Sequence, residues 1–196
     1  MNYLRTTIIV MACYILSHGL VQLVEMPMQQ RAMPDVAPFA SLIYLPHGVR
    51  VLASWLLGWK AILPLFLGAL ASHIIFEPES MISHLSDSDF FFLLSLMIGA
   101  AVAVCAFELL MLIGLNLYSG PYRRVKWTGI LLVGIVASVL NALGQSLAFS
   151  GIVLPEVVSQ VFWTYVIGDT MGLIVTMVVL ALAFRFMRKR PRNQRR

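Results

Sequence analysis

The chain has 196 residues, of which 60% are hydrophobic and 12% charged, and it carries a net charge of +5. That balance excludes an ordinary soluble domain. The longest polar stretch is the tail after Phe186, so an all-α, polytopic integral membrane bundle is expected over residues 1–187, with a basic cytoplasmic tail over 188–196.

Bridging a hydrocarbon core of roughly 30 Å takes about 20 apolar residues in a helix. Six stretches approach that length: Leu4 to Val24, Pro38 to Trp59, Ala61 to Phe76, Phe90 to Leu117, Trp127 to Phe149 and Val157 to Met187. The first follows Arg5 but is not closed by a small-x-small cleavage site, so it reads as a retained helix. His18, Gln22 and Glu25 share one of its faces.

The second stretch contains "YLPHGVR". Pro46 cannot donate to a helix ladder and Gly48 relaxes the backbone, so this helix is expected to be kinked or broken at Pro46–Gly48. Backbone groups freed inside a membrane must meet protein or a wet cavity. Pro46 also suits the first turn of a new half-helix, whose amino terminus would point its positive end at a small anion, reinforced by Arg50. His47, Arg50 and Ser54 fall on one face of that half.

Further along, Ser72 and His73 lie near the outer end of the third stretch, and Glu108 lies near the inner end of the fourth, within reach of Arg123 or Arg124. Ser138, Asn141 and Gln145 form a stripe on the fifth, and Asp169, Gly172 and Thr176 one on the sixth. A charge at the bilayer centre costs about 3 kcal/mol on insertion scales and normally faces a partner. Counting residues from the outer ends places Arg50 and Asp169 at similar depth, which predicts an ion pair between them. A structural clamp and a ligand or proton role are both open for that pair. With His18 and His73, the stripes outline a polar pocket open to the outside, whose expected ligand-binding residues are His18, His47, Arg50, His73, Asn141, Gln145 and Asp169.

Twelve of the 14 basic residues collect on one side if the amino terminus is cytoplasmic: Arg5, Lys60, Arg123, Arg124, Lys126 and seven from Arg185 to Arg196. The positive-inside rule then puts both termini in the cytoplasm. The basic tail is expected to meet anionic lipids, and nucleic-acid binding is not expected because no soluble module accompanies the tail.

Cys13 and Cys105 lie within spans and offer neither a disulfide framework nor a C-x-x-C site. Imidazoles of His18, His47 and His73 suit a metal or haem. No H-x-x-x-H pair or carboxylate spacing is read beside them, so hydrogen bonding is expected, with no metal and no cofactor. Motifs for nucleophilic, zinc-dependent or phosphate-binding catalysis are absent, and the chain is not expected to be an enzyme. "GALAS" at Gly68 and "GIVAS" at Gly134 read as close helix contacts of small residues.

The stretch "YLPHGVRVLASWLLGWKAILPLFLGALAS" resembles the first membrane-associated sensor domain of bacteria at Tyr44, Pro46, Gly48, Ala53, Gly58, Lys60, Pro64, Gly68 and Ala69. "VIGDTMGLIV" resembles that family's last span through Gly168, Asp169 and Gly172. The chain differs from the family in having six spans rather than eight, in Arg50 where a small or apolar residue is usual, and in lacking an output domain within these residues. The resemblance implies a sensory input module, ordinarily followed by a histidine kinase or a cyclic-dinucleotide enzyme domain. With the anion site read at Pro46 and Arg50, the expected function is recognition of a small, anionic solute from the outer side and signalling through a separate cytoplasmic protein. The competing expectation is a small-solute transporter or the substrate-binding subunit of an uptake system, partnered by an ATPase.

Overall fold

A computed structural model describes residues 2–32, 41–77, 89–120, 126–148 and 158–189. The expected acidic loop after Glu77, Pro38, Pro121, Arg123, Arg124, Phe149 and the tail beyond Lys189 lie outside them. The described residues are helical, with no strand among them. We number the helices α1 (Tyr3–Leu20), α2 (Met26–Ala32), α3 (Leu45–Leu57), α4 (Ile62–Phe76), α5 (Asp89–Leu112), α6 (Trp127–Ala148) and α7 (Val158–Lys189).

Among the described residues, five helical runs are long and apolar enough to cross a membrane: Tyr3–Ala32, Leu45–Phe76, Phe90–Leu112, Trp127–Ala148 and Ser159–Phe186. Their packing suits lipid rather than water. Large side chains such as Leu4, Ile8, Leu16, Leu23, Leu147 and Phe186 are exposed, while Ser54, Ser72, Ser138, Asn141 and Asp169 are buried. A soluble bundle places these classes the other way round.

The first run is longer than the stretch ending at Val24 that composition suggests. A π-helical turn at Val21–Glu25 joins α1 to α2, with the Met26 N–H bonding back to the Val21 carbonyl. Pro27 has no N–H and its ring crowds the preceding turn. The wide turn just ahead of it absorbs that defect and lets the helix continue to Ala32.

Pro46 does not kink α3; it opens it. The helix starts at Leu45 with Pro46 in its first turn, where a missing N–H costs nothing. Residues 41–44 before it are non-helical and lie as a strap against α7. The Tyr44 N–H donates to the Gly168 carbonyl at 3.0 Å. Any Cβ at Gly168 would meet the Ser41 carbonyl oxygen, and one at Gly172 would meet that of Tyr44. Both glycines are therefore required by the close approach of two backbones.

Contacts along α1 order its neighbours. Going up α1, Tyr3 bonds to the Lys60 carbonyl, Tyr14 meets Arg50, and the His18 and Tyr44 rings lie 6.3 Å apart. Against α4, Tyr14 packs on Gly68, Gly19 on Phe76, and His18 on Glu77. Hence α3 runs antiparallel to α1 and α4 parallel to it, so the run Leu45–Phe76 doubles back at Gly58–Ala61. Gly58, at φ 57°, supplies the left-handed residue that the reversal needs.

α5 ends at Leu112, short of the expected Leu117, through a Schellman cap. Gly114, at φ 88°, donates to the Met111 carbonyl at 3.0 Å, and Leu115 donates to that of Leu110 at 2.9 Å. α3 occupies the middle of the bundle and packs against α1, α5, α6 and α7. One apolar cluster joins Val51, Phe107, Ile130, Val133 and Leu173; a second joins Val10, Tyr14, Leu65, Ala69 and Leu96. Polar groups occupy what these clusters leave.

Candidate functional site

The expected single pocket is two clusters. The central one surrounds Arg50, which is 5% exposed. Its Nη2 donates to the Tyr14 hydroxyl at 2.8 Å and the Tyr44 hydroxyl at 3.4 Å. The guanidinium carbon lies 5.6 Å from the Tyr14 ring centroid and 5.1 Å from that of Tyr44. Gly99 makes room for it, since a Cβ there would stand 2.6 Å from Arg50 Nη2.

The predicted ion pair between Arg50 and Asp169 does not form: among the described residues Arg50 contacts no carboxylate. Asp169 instead accepts from Asn141 Nδ2 at 2.7 Å and lies 3.4 Å from His47 Nδ1. Neither level nor direction matches: α3 and α7 run side by side with Tyr44 on Gly172 and Gly48 on Thr176, which leaves Asp169 more than a turn from the level of Arg50. Arg50 leans from α3 toward α1 and α5, whereas His47, one turn earlier, leans toward α6 and α7. His47 Nε2 lies 3.2 Å from the Gly134 carbonyl and 3.4 Å from Ser138 Oγ, and Ser138 Oγ also meets Thr170 at 3.2 Å. Gln145 donates to the Ser95 carbonyl at 3.1 Å and accepts from its hydroxyl at 2.7 Å. Three polar atoms of this centre, His47 Nδ1, Arg50 Nε and Asp169 Oδ1, are buried without a hydrogen-bond partner.

The stripe on the last helix divides by role. Asp169 belongs to the polar centre, but Gly172 receives the Tyr44 carbonyl and Thr176 bonds to the Gly172 carbonyl at 2.7 Å. Both serve packing. Glu108, placed at the inner end by depth, accepts from Trp59 Nε1 at 3.0 Å and the Tyr118 hydroxyl at 2.7 Å. Burial and then this hydrogen bond push the Tyr118 hydroxyl up, so it remains a donor.

The outer cluster gathers His18, Gln22, His73 and Glu77, where α1 and α4 end side by side. His18 Nε2 lies 3.1 Å and His73 Nδ1 3.3 Å from Glu77 Oε1, and Gln22 Nε2 donates to the same carboxylate. Partial burial works against the Glu77 charge, but the hydrogen bond with His18 and the nearby His73 imidazole outweigh it and hold the carboxyl well below the usual carboxylate range. Glu25, on the same stripe in sequence, turns away to accept from Ser41 Oγ at 2.9 Å and the Leu42 N–H at 2.8 Å.

Tyr14 and Glu77 were absent from the sequence-derived site. Tyr14 lies one helical turn before His18, and Glu77 one turn after His73, spacings that put each pair on one helix face. The reading that no carboxylate is spaced to serve the histidines is thereby corrected for His73. No protein-family model, curated protein or solved structure matches the chain, so the resemblance across residues 44–69 and 168–172 rests on the residues themselves.

Proposed function

We propose that the protein is a six-pass sensory module of the bacterial cytoplasmic membrane, with both termini cytoplasmic, that binds a small anion from the outer side. The reading is carried by one observation: a buried guanidinium with tyrosine neighbours and, among the described residues, no carboxylate in contact with it. A permanent charge in a low-dielectric interior calls for a counter-charge. Two hydroxyls and two ring faces reduce that demand, by on the order of 2 kcal/mol for a desolvated cation–π contact, without cancelling the charge. An anionic solute at Arg50 would do so, with Nε as a further donor.

Six passes rather than five follow if the doubled-back run Leu45–Phe76 crosses twice, which returns the carboxy terminus to the side of the amino terminus. Tyr44 supplies the signalling link. Its hydroxyl meets Arg50, and its backbone is bonded to α7 at Gly168. An anion that displaces the hydroxyl would move the strap and with it α7, whose basic end is suited to anionic lipids and to a cytoplasmic signalling protein. A coupling of 1 to 3 kcal/mol is typical of such linkage.

A transport reading draws on a different observation, the buried His47–Asp169 pair with its Asn141 support, since intramembrane acid–base pairs carry protons in many transporters. Thermal-shift titration of the purified protein with acetate, sulfate, phosphate and chloride tests binding. Saturation at about 100 times Kd raises stability by about 2.7 kcal/mol, and Arg50→Gln should abolish that shift. Counterflow of a stabilising anion in proteoliposomes would favour transport; binding without flux favours sensing.

A further inference from the structure

The outer cluster offers what the central one lacks, a set of metal ligands. His18, His73 and Glu77 each present a donor atom, and the three lie within 4.8 Å of one another. Donors at 2.0–2.1 Å from a tetrahedral Zn²⁺ stand roughly 3.3 Å apart. The separations from Glu77 Oε1 to His18 Nε2 and His73 Nδ1, 3.1 and 3.3 Å, match that edge length. Two imidazoles and a carboxylate form the donor set of many zinc sites with one open position.

We propose that His18 Nε2, His73 Nδ1 and Glu77 Oε1 bind a zinc-like divalent transition-metal ion at the end of the bundle opposite both termini. This goes beyond the anion reading and uses other residues. His73 Nδ1 is buried and makes no hydrogen bond, although it faces the carboxylate; a metal would satisfy its lone pair. The surroundings suit an ion held by protein rather than by bulk water. Tyr14, Tyr44 and Phe76 ring His18, and Phe92 packs edge-on to His73 at 5.3 Å. Gln22 Nε2 donates to the same Glu77 Oε1 and holds that oxygen in place between the two imidazoles. His73 and Glu77 are locked in register by α4, and the parallel docking of α1 brings His18 to the same height, so the ligands are preorganised. The fourth position is left for water or for a donor atom on a solute.

The test uses the full chain in detergent, stripped with chelator and titrated with ZnSO₄ in a calorimeter and with CoCl₂ in a spectrophotometer. The account expects one equivalent of either ion per chain and intense cobalt ligand-field bands of a tetrahedral site. Affinity should fall at least tenfold in each of His18→Ala, His73→Asn and Glu77→Gln, in line with losses known for weaker perturbations of metal sites. His84→Ala, which removes the fourth histidine, should leave the titration unchanged. Should the variants fail to fold, the wild-type cobalt spectrum alone decides. No binding to the wild-type chain, an octahedral aquo-like spectrum, or undiminished affinity in the variants would overturn the assignment.

Discussion

Arg50 and Asp169 serve different partners, because neither the true start of a helix nor the rotation about its axis is legible in sequence. The helix α3 begins at Leu45 rather than Pro38, which sets Arg50 more than a turn beyond Asp169. Each residue adds 1.5 Å of height, so counting gives level only from the true end of a span. Azimuth depends on how α3 settles among four neighbours. The charges inside apolar runs were found, along with the buried stripe Ser138, Asn141 and Gln145, while the pairing was misassigned. Asn141→Leu tests the actual pairing: it leaves a buried Asp169 oxygen without its donor and should cost about 1–3 kcal/mol, read as a lower Tm in detergent. Arg50→Leu, by contrast, removes an uncompensated charge and should cost less than Asn141→Leu. The reverse order would mean that the tyrosines, not a solute, balance the guanidinium.

At the level of elements, the strap 41–44 and the glycine face of α7 form one device. Sequence shows Pro46 as a helix breaker, and it shows Gly168 and Gly172 as small residues four apart. What it conceals is that the non-helical backbone before the proline lies directly on those glycines. No pattern of hydrophobicity marks a backbone-to-backbone contact, since its signature is the lack of a side chain. Gly172→Ala would drive a methyl into the Tyr44 carbonyl and should cost about 1–3 kcal/mol, as overpacking does. The methyl of Gly129→Ala comes no closer than 3.1 Å to the end of the Leu117 side chain, which can turn aside, and should cost less. Equal losses of Tm in the two variants would contradict the strap.

For the whole molecule, the question is how often the chain crosses the bilayer. Apolar stretches number six in the sequence, unbroken apolar helical runs number five among the described residues, and the order of contacts along α1 reverses the second of those runs at Gly58–Ala61. In a chain whose Cys13 and Cys105 are replaced by alanine, a cysteine at Lys60 should react with an impermeant maleimide only from the side of the amino terminus. One at Glu77 should react only from the other side. A buried, unreactive position 60 would indicate a single crossing. Deleting residues 188–196 should abolish association with a cytoplasmic partner if α7 is the output, while leaving anion binding unchanged. The central claim is that a buried, carboxylate-free guanidinium receives an anion. Calorimetric titration of wild type, Arg50→Lys and Arg50→Gln with whichever of acetate, sulfate, phosphate or chloride gives the largest thermal shift tests it most directly. The account predicts stoichiometric binding to wild type, at least tenfold weaker binding to the lysine variant and none to the glutamine variant; equal affinity in all three would contradict it.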